Sequence, residues 1–187
     1  MYQTEHLICE RLSLDAVDEL RAFYLRNSEH LGPWDPIRPS NYFDQDVFLE
    51  NAKKQIAEQA DGRAERILIR KNREVIGVIN FTNISPAPFL ACNLGYSIDQ
   101  TEQGKGMMTE ALAGALNYLF SSRKLHRVMA NYLPRNQRSA TVLRRLGFAV
   151  EGYARAYLMI AGSWEDHVLT ALLAEDAQSM PWFHPAP

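Results

Sequence analysis

Near the middle of the chain the apolar pattern changes period. Leu94-Gly95-Tyr96-Ser97-Ile98 has strand composition, whereas Met108, Ala111, Leu112, Ala115, Leu116 and Leu119 recur at helical spacing. Between them lie the polar run Asp99-Gln100-Thr101-Glu102 and the turn Gln103-Gly104-Lys105-Gly106. The stretch predicts strand, glycine turn and a helix reaching Phe120. A helix opening on glycines leaves unpaired N–H groups at its start, and its dipole adds partial positive charge there, which suits an anion. Two glycines alone suit a plain tight turn equally well, so the rest of the chain must decide.

Residues 5 to 12 read as an opening strand. Asp15 stands where a helix cap belongs, ahead of the stripe Leu14, Val17, Leu20, Phe23 and Tyr24. Gly32, Pro33, Pro36 and Pro39 predict a long loop from Glu29 to Phe43 that carries Trp34, Asp35 and Tyr42. A second helix is expected from about Asp44 to Ala60. Arg66–Arg70 and Val75–Phe81 read as a hairpin turning at Lys71–Glu74. A loop over 84–89 and a strand over 90–98 lead to the glycine turn. His126 to Leu133 is a further strand, stopped by Pro134. Asn136 caps a helix with the stripe Ala140, Leu143 and Leu146, and Gly147 closes it in the left-handed conformation. Strands over 149–160 and 164–173 turn at Ala161-Gly162-Ser163, and 180–187 is an irregular tail. The order β α α β β β α β α β β predicts one α/β (α+β) domain over 1–187, with a mixed, mostly antiparallel sheet flanked by helices.

Composition narrows the function classes. The chain has 187 residues, 47% apolar and 22% charged, with net charge -2. That balance gives no electrostatic reason for direct nucleic-acid binding. Cys9 and Cys92 lack CxxC spacing, and the five histidines lack metal-ligand spacing, so no metal is expected. The N-terminus carries Glu5, Glu10 and Arg11 without a long apolar run, and no segment approaches a membrane span, so a cytoplasmic location is expected.

Three features then stand in a row: the glycine turn, the strand at 126–133, and Asn136-Gln137-Arg138-Ser139 opening a helix that ends in Leu146-Gly147-Phe148. This order resembles the acetyl-coenzyme A signature of the GNAT superfamily of N-acetyltransferases. The pyrophosphate loop of that family, Q/R-x-x-G-x-G/A, is matched by Gln103-Gly104-Lys105-Gly106-Met107-Met108, with Met108 departing from the small last residue. Leu94–Ile98, His126–Tyr132, Arg145–Phe148, Glu151-Gly152, Asp166–Leu172 and Trp34-Asp35-Pro36 resemble the ribosomal-protein-alanine N-acetyltransferases within it.

The resemblance implies transfer of an acetyl group from acetyl-CoA to the N-terminal α-amine of a protein, an alanine of a ribosomal protein, by direct attack of the amine on the thioester. Whether a contact with the ribosome accompanies such an acceptor stays open. It implies that Ile98 and residues 103–108 with Asn136 hold the cofactor, that Tyr96 and Ser97 offer backbone groups to the thioester, and that Ser139 serves the leaving thiolate. Lys105, Arg135 and Arg138 are candidates for the phosphates. Trp34 and Asp35 are implied to wall the acceptor site. Glu110, one turn into the central helix, is a weaker catalytic candidate, and Tyr132, Tyr153 and Tyr157 are weaker candidates for the proton donor to the thiolate. Asn93 stands where similar enzymes carry a glutamate, and asparagine is no base. An α-amine, with pKa of roughly 7.7–8, is about a tenth neutral near neutral pH and needs a base less than a lysine does. Two alternatives stay open: an acetyltransferase for a small amine, antibiotic or peptide, and a non-catalytic acyl-CoA-binding protein.

Overall fold

The computed structural model describes residues 2–185; the last two residues of the expected tail lie outside them. The strands are β1 (Tyr2–Gln3), β2 (Ile8–Arg11), β3 (Glu65–Lys71), β4 (Glu74–Ser85), β5 (Ala91–Ile98), β6 (Arg127–Tyr132), β7 (Ala149–Ile160) and β8 (Ser163–Leu173). The α-helices are α1 (Val17–Arg26), α2 (Ser28–Leu31), α3 (Gln45–Ala60), α4 (Met107–Ser121), α5 (Gln137–Arg145) and α6 (Ala174–Ala177). The strands form one sheet in the order β1-β2-β3-β4-β5-β6-β8-β7. Every neighbouring pair is antiparallel except β5 and β6. Those two are joined by α4, and a helical crossover is what a parallel pair requires.

Two apolar cores cover the two faces. On one, Ala111, Leu112, Ala115, Leu116 and Leu119 of α4 pack on Ile67, Ile69, Ile79 and Phe81, with Leu143 and Leu146 alongside. On the other, Val17, Leu20 and Phe23 of α1 and Phe48 and Ala52 of α3 pack on Leu68, Val75 and Val78. Adjacent β3 and β4 residues alternate between the two cores, as strand geometry requires.

Several expectations are corrected. Asp15 does not cap α1; it lies inside a short 3-10 turn, Leu14–Ala16, with Ser13 before it. Leu14 leaves the apolar stripe and is exposed. The expected strand at 5–12 shortens to Ile8–Arg11, because residues 4–7 turn back to β1 through Thr4 N donating to the Leu7 carbonyl at 2.9 Å. The expected loop at 29–43 begins with α2 and a 3-10 turn, Gly32–Trp34. The hairpin turn narrows to Asn72-Arg73, both with positive φ (49° and 68°), the geometry that matches strand twist in a two-residue turn. Tyr2 was not anticipated as a strand residue. Its ring takes the place a side chain at Gly114 would need, a Cβ there falling 2.3 Å from the ring. Its hydroxyl donates to the Ala111 carbonyl at 2.5 Å.

Candidate active site

The site begins where two strands part. The β5–β6 register runs only from Ala91↔Arg127 to Asn93↔Met129. Beyond it β5 stays paired with β4 as far as Ile98, and β6 stays paired with β8 as far as Tyr132. Each strand follows its outer partner, so a wedge opens between them. The Asp99 N–H donates to the Ile76 carbonyl of β4 at 2.7 Å, and the Ser97 carbonyl faces Gly77, 2.8 Å from where its Cβ would stand. Backbone groups alternate sides along a strand, so those of Tyr96 and Ile98 face the wedge. The expectation for Ser97 is therefore corrected: its backbone is turned to β4.

The side chain of Tyr96 crosses to α5. Its hydroxyl lies 2.8 Å from Ser139 Oγ, and 3.4 Å from the Ser139 carbonyl, to which it donates. Burial pushes the Tyr96 hydroxyl up to about 12, against the opposing effect of the Ser139 hydrogen bond. It keeps its proton at neutral pH. Asn136 caps α5 as expected, its Oδ1 accepting from the Ser139 N–H at 3.1 Å. The cap fixes the helix start, and with it the position of the serine.

The glycine loop opens α4. Gly104 and Gly106 have φ of 74° and 83°, and a Cβ at either would meet nothing within 4 Å. Open backbone in a left-handed turn is the arrangement glycine permits and other residues strain. Gly106 is the N-cap and offers no side chain to the first-turn N–H groups; the Glu110 N–H is the first to find a helical acceptor, at Gly106. Met107 and Met108 are buried, so they anchor the helix and offer the loop only backbone N–H. That explains why a large residue is tolerated at 108.

Side chains hold the loop in place. Gln103 accepts from Arg138 at 2.6 Å and meets His30 Nε2 at 2.8 Å, tying α5 and α2 to the turn. Glu102 pairs with Lys71 at 2.8 Å and Lys105 at 3.3 Å, and the Lys71 hydrogen bond keeps its carboxyl below the usual range. Asp99 lies in the polar break that follows β5. Its Oδ2 accepts from Arg26 Nε (2.8 Å) and Asn27 Nδ2 (3.1 Å), and its Oδ1 from the Thr101 N–H (3.0 Å) and hydroxyl (2.8 Å). Burial would raise this carboxyl, but those donors hold it well below the usual carboxylate range. Asp99 thus fixes the 3-10 turn Gln100–Glu102 that feeds the glycine loop. The spacing Asp99-x-Thr101, an Asx turn, was the local signal for it.

In the loop expected to wall the acceptor, residues 33–37 clasp the β7–β8 hairpin. The Asp35 carbonyl accepts from Ala161 N–H at 3.0 Å, and Ile37 lies against Gly162. Arg135 sits 5.6 Å from the Trp34 ring centre and pairs with Glu165 at 2.8 Å. Arg135 is thereby engaged away from a phosphate role, while Arg138 and Lys105 stay beside the glycine loop. The Asp35 carboxylate pairs with Arg38 at 2.7 Å. Glu110 is turned to the opposite sheet edge, where its carboxylate accepts from the His6 N–H at 2.9 Å and meets the His6 ring at 3.0 Å. It braces the β1–β2 turn. Tyr153 donates to Asp166 at 2.7 Å, Tyr132 packs on the α4 core, and Tyr157 meets Asn131 at 3.2 Å beside the buried His167 ring. Of these three tyrosines, Tyr132 is the last residue of the wedge strand β6 and Tyr157 is bonded to that strand through Asn131.

Comparison with known proteins agrees with this geometry. Residues 6–149 match the family model described as an acetyltransferase (GNAT) domain. The chain is 44% identical over 163 residues to the [ribosomal protein uS5]-alanine N-acetyltransferase of Escherichia coli (strain K12), covering 84% of this chain and 82% of the relative. Among solved structures it is similar to the ribosomal-protein-S5-alanine acetyltransferase of Vibrio fischeri, with TM-score 0.89, 34% identity and coverage of 94% and 97%. It is also similar to Mycobacterium smegmatis RimJ in complex with CoA-disulfide, with TM-score 0.88, 26% identity and coverage of 94% and 86%. The split strands, the glycine-opened helix and the match over most of the chain place this protein in the GNAT family of N-acetyltransferases.

Proposed function

We propose that the protein transfers the acetyl group of acetyl-CoA to the N-terminal α-amine of a protein, with the N-terminal alanine of a ribosomal protein as acceptor. The observation that carries the chemistry is the Tyr96–Ser139 hydroxyl pair, 2.8 Å apart, bridging β5 to the start of α5 at the wedge. The choice of acceptor is supported by the 44% identity to an alanine N-acetyltransferase of ribosomal protein uS5.

Acetyl-CoA supplies the thioester. The N–H groups of Gly104 to Met108 suit the pyrophosphate, since open glycine backbone and a helix N-terminus both favour an anion. The wedge-facing backbone of Tyr96 and Ile98 offers strand-type hydrogen bonds to the pantetheine amides and a donor for the thioester oxygen. The neutral amine attacks the carbonyl carbon, the new C–N bond forms and the C–S bond breaks. Ser139 or Tyr96 then passes a proton to the departing thiolate, and the proton that the new amide nitrogen loses returns through solvent water to the hydroxyl pair, so the products are the acetylated amine and free CoA thiol. Asn93 offers no base, and an α-amine already partly neutral at cellular pH lessens the need for one.

The test is thiol release from acetyl-CoA with three acceptors: an alanine-first ribosomal peptide, the same peptide with a blocked N-terminus, and a set of small amines. Turnover with the first alone supports the proposal. Turnover with small amines alone, or with none, overturns it; the last outcome favours an acyl-CoA-binding protein.

A further inference from the structure

On the face of the sheet away from α4, the wedge opens onto a cleft. Asn93↔Met129 is the last pair between β5 and β6, so two residues further on Gly95 and Asn131 stand level across the opening. Leu94 and Ala130 belong to the α4 core and Tyr96 packs on it. Side chains alternate along a strand, so Gly95 and Asn131 present the opposite face. Gly95 lies on an inner strand yet is exposed, and a Cβ there would meet nothing within 4 Å.

A bulge in β7 brings Tyr157 to this cleft. Between the pairs Ala154↔His167 and Leu158↔Glu165, residues 155–157 stand against Asp166 alone. Asp166 clamps the bulge, accepting from the Ala156 N–H at 2.8 Å and the Tyr153 hydroxyl at 2.7 Å. Ala156 is held at φ of 45°, a conformation that residues other than glycine adopt at a cost. Such bulges re-aim a side chain. Here the Tyr157 ring rests 5.3 Å from the buried His167 ring, and its hydroxyl accepts from Asn131 Nδ2 at 3.2 Å. That bond leaves the phenol hydrogen and Asn131 Oδ1 without partners among the described residues. Both are within reach of a ligand: Tyr157 is 46% exposed, and Asn131 Oδ1 is not shut off from solvent.

We propose that Asn131 and Tyr157 form the subsite for the first residue of the acceptor, Asn131 Oδ1 accepting from its α-amine and the Tyr157 hydroxyl donating to its carbonyl. The proposal rests on the N-terminal acetyltransferase reading. The amine and carbonyl of one residue are joined through a single Cα, and they meet an acceptor and a donor that stand side by side. The Tyr96–Ser139 pair serves the sulfur from the α5 face, and this pair serves the amine from the other. An amide oxygen takes an N–H without favouring the ammonium as a carboxylate would, so the amine keeps its lone pair for attack. A plain amine or a lysine side chain has no carbonyl beside its nitrogen and leaves the Tyr157 donor unpaired, which is how such a site discriminates.

The experiment uses an alanine-first ribosomal peptide and its analogue in which an (E)-alkene replaces the first peptide bond, keeping the amine and the shape but not the carbonyl. Turnover is measured, alongside binding to the CoA-loaded protein by calorimetry. The analogue should lose about tenfold in affinity and in kcat/KM, as for one hydrogen bond. Tyr157→Phe should lose as much on the peptide, and the two changes together no more than either alone. Asn131→Leu should lower kcat/KM on both acceptors, since both keep the amine. Gly95→Val, which adds only side-chain volume to the cleft floor, should weaken peptide binding tenfold or more while acetyl-CoA still binds. Wild-type kinetics in Tyr157→Phe, or losses from Tyr157→Phe and the alkene that multiply, would overturn the subsite. Binding that needs the carbonyl and Tyr157 but leads to no turnover would overturn the acetyl-transfer reading alone; neither binding nor turnover of the peptide would overturn both.

Discussion

Asp99→Asn tests whether the turn that feeds the glycine loop is held by charge. Asparagine keeps the size and can still accept from the Thr101 N–H and hydroxyl. Its amide would then face Arg26 Nε–H and Asn27 Nδ2–H₂, donor against donor, in place of bonds of 2.8 Å and 3.1 Å. Arg26 is one-third exposed and can recover water, whereas Asn27 is 3% exposed and cannot. Charge-assisted bonds contribute about 1.5–3 kcal/mol each, and discounting the Arg26 bond leaves a loss of about 2–4 kcal/mol. In a domain of this size, at about 2–4 °C per kcal/mol, that lowers Tm by about 4–16 °C. The folded-state carboxyl is held below its unfolded value of about 3.9, so its stabilisation is fully present above that pH and fades as pH falls through the folded pKa. The melting gap between wild type and variant should therefore be wide near neutrality and close as the solution is acidified below about pH 4. The KM for acetyl-CoA should rise as well, because the turn positions the loop. Thermal melts across pH, with acetyl-CoA kinetics, measure all three. A variant that melts within a degree of wild type at neutral pH, or a gap that stays constant into acid, would refute the reasoning.

Further outcomes follow from the same geometry. Gly106→Asp places a carboxylate among the loop N–H groups at φ of 83°, and should weaken acetyl-CoA binding at least tenfold; unchanged calorimetric affinity in a folded variant would remove the loop from the cofactor site. Ser139→Ala and Tyr96→Phe should each lower kcat by about tenfold to a hundredfold with smaller changes in acetyl-CoA affinity, and the double variant should cost little more than either one if they act as one unit; multiplicative losses would show separate roles. Glu110→Gln should leave kcat within twofold and lower stability by about 1 kcal/mol, since its carboxylate braces His6; a tenfold drop in kcat at unchanged stability would return it to the chemistry.

Local pattern determined the elements. The period change at Asp99, the stripe of α4, the Asn136 cap and the left-handed Gly147 were all legible, because each is decided by residues a few positions apart. The GNAT resemblance was legible for the same reason: its motifs are short and contiguous. The one cap that failed, Asp15, did so at a helix start where a 3-10 turn intervened.

Long-range placement was a matter for the tertiary structure alone. No local signal shows that β5 and β6 part after Asn93, since the wedge arises from each strand following its outer neighbour. Nor does one show that Tyr96 meets Ser139, 43 residues away, or that Arg26 and Asn27, at the C-terminal end of α1, brace Asp99. Glu110 looked close to the chemistry because it is near the loop in sequence, yet a turn of helix aims it at His6. Asp35 likewise pairs with Arg38, three residues on. A side chain's partners depend on which faces the fold brings together, and that is information the residue pattern does not carry.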